Sequence, residues 1–187
     1  ESLDDHGELL HGDAYYDSVV HIPMMIRIPG LPGGESDALV SQVDVLPTVL
    51  AAVGAVAPAA VNGTSMLPLF TGAATSIRST ALVEGGVRWQ AEGPPRGAVI
   101  APPWALLRQD PGCGGAAPRA PGEPGTCLFN LVDDPAELRN VAALHPEIVE
   151  ELLGRWEKFR VANGAEAVAL TLDPAYVKEL QKNGYNF

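Results

Sequence analysis

The chain has 187 residues, 47% of them hydrophobic, and a formal net charge of −11. That supplies apolar material for a core of one or two compact units and excludes a disordered tail. The acidic balance excludes a broad basic surface for nucleic acid or an anionic membrane, and the sequence has no apolar run of about 18 residues that would span a bilayer.

The first element is a turn, Asp5-His6-Gly7-Glu8, with His11-Gly12 just beyond it. Adjacent Asp and His at a strand end can reach one cation together, because the turn breaks the alternation that sends neighbouring side chains to opposite faces. The plain alternative is a polar turn after a strand. Only Leu3 precedes the pair as an apolar residue, so the reading expects the chain to begin mid-element, with a processed or unobserved amino-terminal part.

Ile22 to Ile28 is a near-continuous apolar run bounded by Pro and Gly, which predicts a strand buried on both faces of a parallel sheet. Val40 to Val53 places Val40, Val43, Leu46, Val49, Leu50 and Val53 at helical spacing before Gly54, with Pro47 expected to kink or restart the helix. Asn62-Gly63-Thr64 matches a glycosylation acceptor and equally a tight turn.

From about Thr80 the pattern changes to short strands: Ala81 to Val83, Gly97 to Ile100, Trp104 to Leu107 and Cys127 to Leu131, as in an antiparallel sheet. Cys113 and Cys127 bracket a Gly- and Pro-rich loop. A disulfide there would close about 15 residues and restrict the unfolded chain by roughly 3 kcal/mol, with free thiols as the alternative. Two thiols without a nearby His do not make a zinc site. Asp133-Asp134-Pro135 reads as a turn, not a metal cluster. A helix then starts at Pro146, with Ile148, Val149, Leu152, Leu153, Trp156 and Phe159 on the face that covers the sheet.

These segments, taken together, resemble the carboxyl-terminal part of a sulfatase of the alkaline phosphatase superfamily. Asp5-His6-Gly7-Glu8, His11-Gly12, Tyr16-Asp17 and Ile22-Pro23-Met24-Met25-Ile26 stand where that family has Ser-Asp-His-Gly-Glu, Lys-Gly or His-Gly, an aromatic-acidic pair and a Val-Pro-Leu-Ile strand. Val43-Asp44-Val45-Leu46-Pro47-Thr48, Asn62-Gly63-Thr64-Ser65-Met66-Leu67-Pro68-Leu69, Trp104-Ala105-Leu106-Leu107 and Leu128-Phe129-Asn130-Leu131-Val132-Asp133-Asp134-Pro135-Ala136-Glu137 continue the match, which closes near Leu180 and Gly184-Tyr185. The family's Cys-x-Pro-x-Arg or Ser-x-Pro-x-Arg nucleophile motif is absent from the sequence.

The resemblance implies an α/β fold: residues 1–72 as the end of an alkaline-phosphatase-like α/β domain with half of a metal site, and residues 73–187 as a small α+β subdomain, an antiparallel sheet with a packed helix. It implies sulfate ester hydrolysis, aryl or carbohydrate, by a formylglycine on a missing amino-terminal segment of the same protein. Asp5 and His6 become metal ligands, with calcium foremost and manganese or zinc as alternatives, since Asp-His suits the latter two.

His11 aligns with the basic residue that contacts the transferred group or protonates the leaving oxygen, although the loop before it is shorter than usual in the family. His21 reads as packed at a strand start, His145 as a helix-entry residue, and Glu8, Asp17 and Asp44 as capping or helix-polar groups. Localisation follows as secreted or periplasmic, in a bacterium by the Ala-, Gly- and Pro-rich usage. The alternatives are a phosphodiesterase or phosphonate monoester hydrolase of the same superfamily, and a non-catalytic module that binds a sulfated glycan.

Overall fold

A computed structural model describes residues 5–6, 14–85, 96–109 and 125–162, together with residues 178 and 182. Its centre is a four-stranded antiparallel sheet in sequential order, β1 (Ala81–Glu84), β2 (Gly97–Ala101), β3 (Trp104–Gln109) and β4 (Gly125–Asn130). The register sets Val99 opposite Leu106 and Leu106 opposite Leu128. These strands carry apolar side chains at successive positions because both faces of the sheet are covered.

On one face Val99, Ala101, Leu106 and Leu128 meet Leu152 and Trp156 of the long helix Pro146–Ala162. On the other, Ala98, Ala105, Leu107, Cys127 and Phe129 meet Ala14, Tyr15 and Tyr16. Leu106, Leu107 and Leu128 are fully buried, worth roughly 1.5–3 kcal/mol each relative to exposure. Polar ties fix the helix to the sheet edge: Trp156 Nε1 donates to Glu84 Oε1 at 2.5 Å, and Arg155 Nη1 donates to Thr80 Oγ1 at 2.7 Å. The expected sheet and covering helix are therefore both present.

The amino-terminal region departs from expectation. Residues 21–28 form no regular element and pair with no strand among the described residues, and Ile22 and Met25 are exposed. A parallel strand needs neighbours on both sides, and none is supplied by the described residues.

The expected Val40–Val53 helix is a 3-10 turn, Gln42–Asp44, followed by the helix Val45–Ala52. Pro47 falls in its first turn, where a missing N–H costs nothing, so no kink arises. The apolar stripe Val43, Leu46, Val49 and Val53 is exposed, and Asp44, Pro47 and Thr48 are buried instead. Burial here follows hydrogen bonding. Asp44 accepts from Ser41 N at 2.8 Å and Thr64 N at 2.7 Å and pairs with Arg78, while Thr48 Oγ1 donates to Asp44 O and accepts from Met66 N.

Gly63 belongs to the same knot. A Cβ there would stand 1.8 Å from Val43 O, so Gly63 is required by this close backbone approach and not by a turn, which residues 61–66 do not form. Cys127 is disulfide-bonded, and the sequence has one other cysteine, Cys113, which lies outside the described residues.

Candidate functional site

The segment Ala14–Tyr16 that seals one face of the sheet leads into a short helix, Asp17–Val20, and brings the Asp5-His6 pair against it. The His6 ring stacks on Tyr16, centroids 3.6 Å apart and planes within 9°, and Tyr16 in turn tilts against Phe129 of β4. Tyr15 N donates to the buried Gln109 Oε1 at 2.8 Å, which pins this segment to the end of β3.

The ring edge is fixed from the carboxyl-terminal side. His6 Nε2 lies 3.2 Å from the backbone carbonyl oxygen of Glu137. A carbonyl only accepts, so Nε2 carries the proton. His6 Nδ1 then faces Asp5 Oδ2 at 3.1 Å without hydrogen-bond geometry, and it is a buried polar atom with no hydrogen-bond partner. Two acceptors pointed at one another at this distance suit a shared cation that takes nitrogen and oxygen ligands. They are two donors only: among the described residues no group of three or more His, Cys, Asp or Glu is placed to hold a metal.

Glu137 itself is 3% exposed, and its Oε2 accepts from Asp17 N at 2.6 Å. Burial raises its pKa to about 7; the Asp17 N–H opposes the rise, and the Asp17 and Asp5 charges add to it. Asp5 shifts the other way, held low chiefly by the Ser18 hydroxyl, against the opposing effect of burial.

The turn that presents Glu137 is the Asp133-Asp134-Pro135 segment. Asp134 accepts from Leu138 N and Arg139 N, and Asn130 Nδ2 donates to Asp133 Oδ2, which supports a turn and not a metal cluster.

Of the residues singled out by sequence, Asp5 and His6 come together here, while Glu8 and His11 lie outside the described residues. His21 is exposed, its Nδ1 3.1 Å from Asp17 Oδ2, not packed at a strand start as expected, because no strand forms behind it. His145 sits at the helix entry with its ring 5.1 Å from Trp104. Glu137 is the residue sequence reasoning missed: its partners are 120 and 131 positions away, and no local pattern announces them.

Residues 8–84 match the family model described as N-sulphoglucosamine sulphohydrolase, C-terminal. The chain is 31% identical over 158 residues to Arylsulfatase K of Xenopus laevis, a match covering 79% of this chain and 28% of that protein. It thus spans under a third of that relative's length. Among solved structures it is similar to a putative sulfatase from Bacteroides thetaiotaomicron VPI-5482, with a TM-score of 0.72 at 19% identity over 92% of this chain and 36% of that one. It is also similar to the phosphonate monoester hydrolase SpPMH from Silicibacter pomeroyi, with a TM-score of 0.64 at 25% identity over 86% of this chain and 32% of that one.

Proposed function

Because this chain belongs to the sulfatase family of the alkaline phosphatase superfamily, we propose that it is the carboxyl-terminal portion of an enzyme that hydrolyses aryl or carbohydrate sulfate esters. The observation that carries this reading is the identity to Arylsulfatase K along 79% of the chain. An amino-terminal segment of the same protein supplies the formylglycine nucleophile, since the sequence contains no Cys/Ser-x-Pro-x-Arg motif. The exposed apolar residues Ile22, Met25, Val43, Leu46, Val49 and Val53 support such a partner, because an α/β domain buries surfaces of this kind.

Asp5 and His6 hold part of a divalent cation site, calcium foremost, with manganese or zinc as alternatives. The unpartnered His6 Nδ1 beside Asp5 Oδ2 supports that role. When bound, the cation neutralises charge on the transferred group and on the attacking oxygen. His11 protonates the leaving oxygen or contacts the transferred group, a task suited to a side chain that titrates near neutrality.

Residues 1–72 complete the catalytic domain, and residues 73–187 form the subdomain that braces it. The disulfide at Cys127 supports a periplasmic or secreted location. Among the described residues no helix is long and apolar enough to cross a membrane.

A second reading, phosphonate monoester hydrolase, is favoured by the Asp-His donor pair and the likeness to SpPMH. Both are tested by expressing the chain joined to its amino-terminal part and comparing sulfate release from an aryl sulfate with alcohol release from an aryl phosphonate ester. Dominant sulfate release, lost in Asp5→Ala and His6→Ala, supports the first reading. Dominant phosphonate cleavage supports the second, and no turnover of either with intact binding of a sulfated glycan overturns both.

A further inference from the structure

His6 and Glu137 are the two non-glycine residues with positive φ among those described, at 54° and 52°. Left-handed backbone is uncommon at such residues and persists where surrounding contacts hold it. These two residues hold each other, 131 positions apart, through His6 Nε2 and Glu137 O at 3.2 Å.

We propose that Glu137 is a positioning residue for the cation site: its backbone carbonyl locks His6 in the Nε2–H tautomer, so that Nδ1, beside Asp5 Oδ2, is the coordinating atom. This rests on the reading of Asp5 and His6 as cation ligands.

The geometry behind it has three parts. The carbonyl accepts from Nε2, which leaves the lone pair on Nδ1. Tyr16 stacks on the ring and opposes its rotation away from that carbonyl. The carbonyl in turn is held in place, because Glu137 N donates to Asp134 O at 3.0 Å and the Glu137 carboxylate accepts from Asp17 N at 2.6 Å. An outer-shell acceptor that fixes the tautomer of a ligating imidazole commonly carries a 10- to 100-fold effect on metal affinity. The carboxyl-terminal sheet subdomain thereby sets the geometry of a ligand at the other end of the chain.

The test is long-range nitrogen–proton correlation NMR on the full chain with labelled histidine, recorded at about pH 8, above the ordinary imidazole range, and titrated with Zn2+. The expected result is a His6 ring protonated at Nε2, with Zn2+ shifting Nδ1. Glu137→Ala, which releases the carboxylate from Asp17, mixes the tautomers and weakens Zn2+ binding by roughly 10- to 100-fold. Glu137→Gln keeps an oxygen for Asp17 N and stays close to the parent chain.

A ring protonated at Nδ1, a Zn2+ shift at Nε2, or a folded Glu137→Ala chain with unchanged tautomer and affinity overturns the proposal alone. Zn2+ without effect on either His6 nitrogen overturns it together with its premise. The tautomer of the parent chain decides the matter even where Glu137→Ala fails to fold.

Discussion

Tyr16 lies flat on His6, with ring centroids 3.6 Å apart and planes within 9° of parallel, and the residue is 5% exposed. One side chain thus fills the core under β4 and orients the imidazole. Tyr16→Ala therefore lowers stability by roughly 3 kcal/mol or more, as expected for emptying an aromatic site. It also frees the His6 ring. Tyr16→Phe keeps the stack and the buried ring. Urea unfolding of the two variants checks the energies, and a His6 ring signal unchanged in Tyr16→Ala would contradict the orienting role.

Asp44 carries a second prediction. It is fully buried, accepts from Ser41 N and Thr64 N, and pairs with Arg78, so removing its carboxylate strands a guanidinium and two amides at once. Asp44→Ala is expected to cost about 3–5 kcal/mol, and Asp44→Asn less, because one amide oxygen still accepts. Equal losses for the two substitutions, measured by denaturant unfolding, would show that packing rather than hydrogen bonding sets the cost.

The residues that were legible in the sequence are those whose environment is local or periodic. The four strands and the Pro146 helix stand where short apolar runs, Gly and Pro put them, and Leu152 and Trp156 are buried as their spacing implies. The stripe Val43, Leu46, Val49 and Val53 was equally periodic, yet it is exposed while Asp44 is buried. Periodicity identifies a face that needs covering; it does not say that the described residues cover it. Asp5 and His6 were singled out by type and resemblance, and the structure places their side chains side by side. Glu137 was not, because its hydrogen bonds reach across more than 100 positions and the turn around it explains the local sequence without them.

Gly63 offers a third test on the Asp44 knot. Any Cβ at this position meets the Val43 carbonyl at 1.8 Å, so Gly63→Ala must push the Thr64 amide away from Asp44. The substitution destabilises, and it couples to Asp44: Gly63→Ala with Asp44→Ala together costs clearly less than the sum of the two. Residues that share one contact are non-additive by about 0.5–3 kcal/mol. A double-mutant cycle that closes additively would separate the two residues and sink this account.

The last prediction concerns pH. Glu137 is pushed from the ordinary glutamate value of 4.5 up to about 7, first by burial, against the opposing Asp17 amide. A carboxyl whose folded pKa is raised keeps its proton where the unfolded chain has released it. Its contribution is therefore full below the ordinary range and fades as pH rises through about 7. The total is on the order of 3 kcal/mol. Asp5 acts oppositely: its lowered pKa adds stability above the ordinary aspartate range that is lost on acidification, and its exposure keeps that contribution small. Urea unfolding from pH about 4 to about 8, with a chelator present so that no cation bridges Asp5 and His6, separates the two by comparison with Glu137→Gln. The parent chain loses stability relative to Glu137→Gln as pH climbs toward neutrality, and the difference levels off above about 7. Parallel curves for the two proteins would mean that Glu137 titrates in the folded chain as it does in the unfolded one, the Asp17 amide offsetting burial, and that burial does not govern its proton.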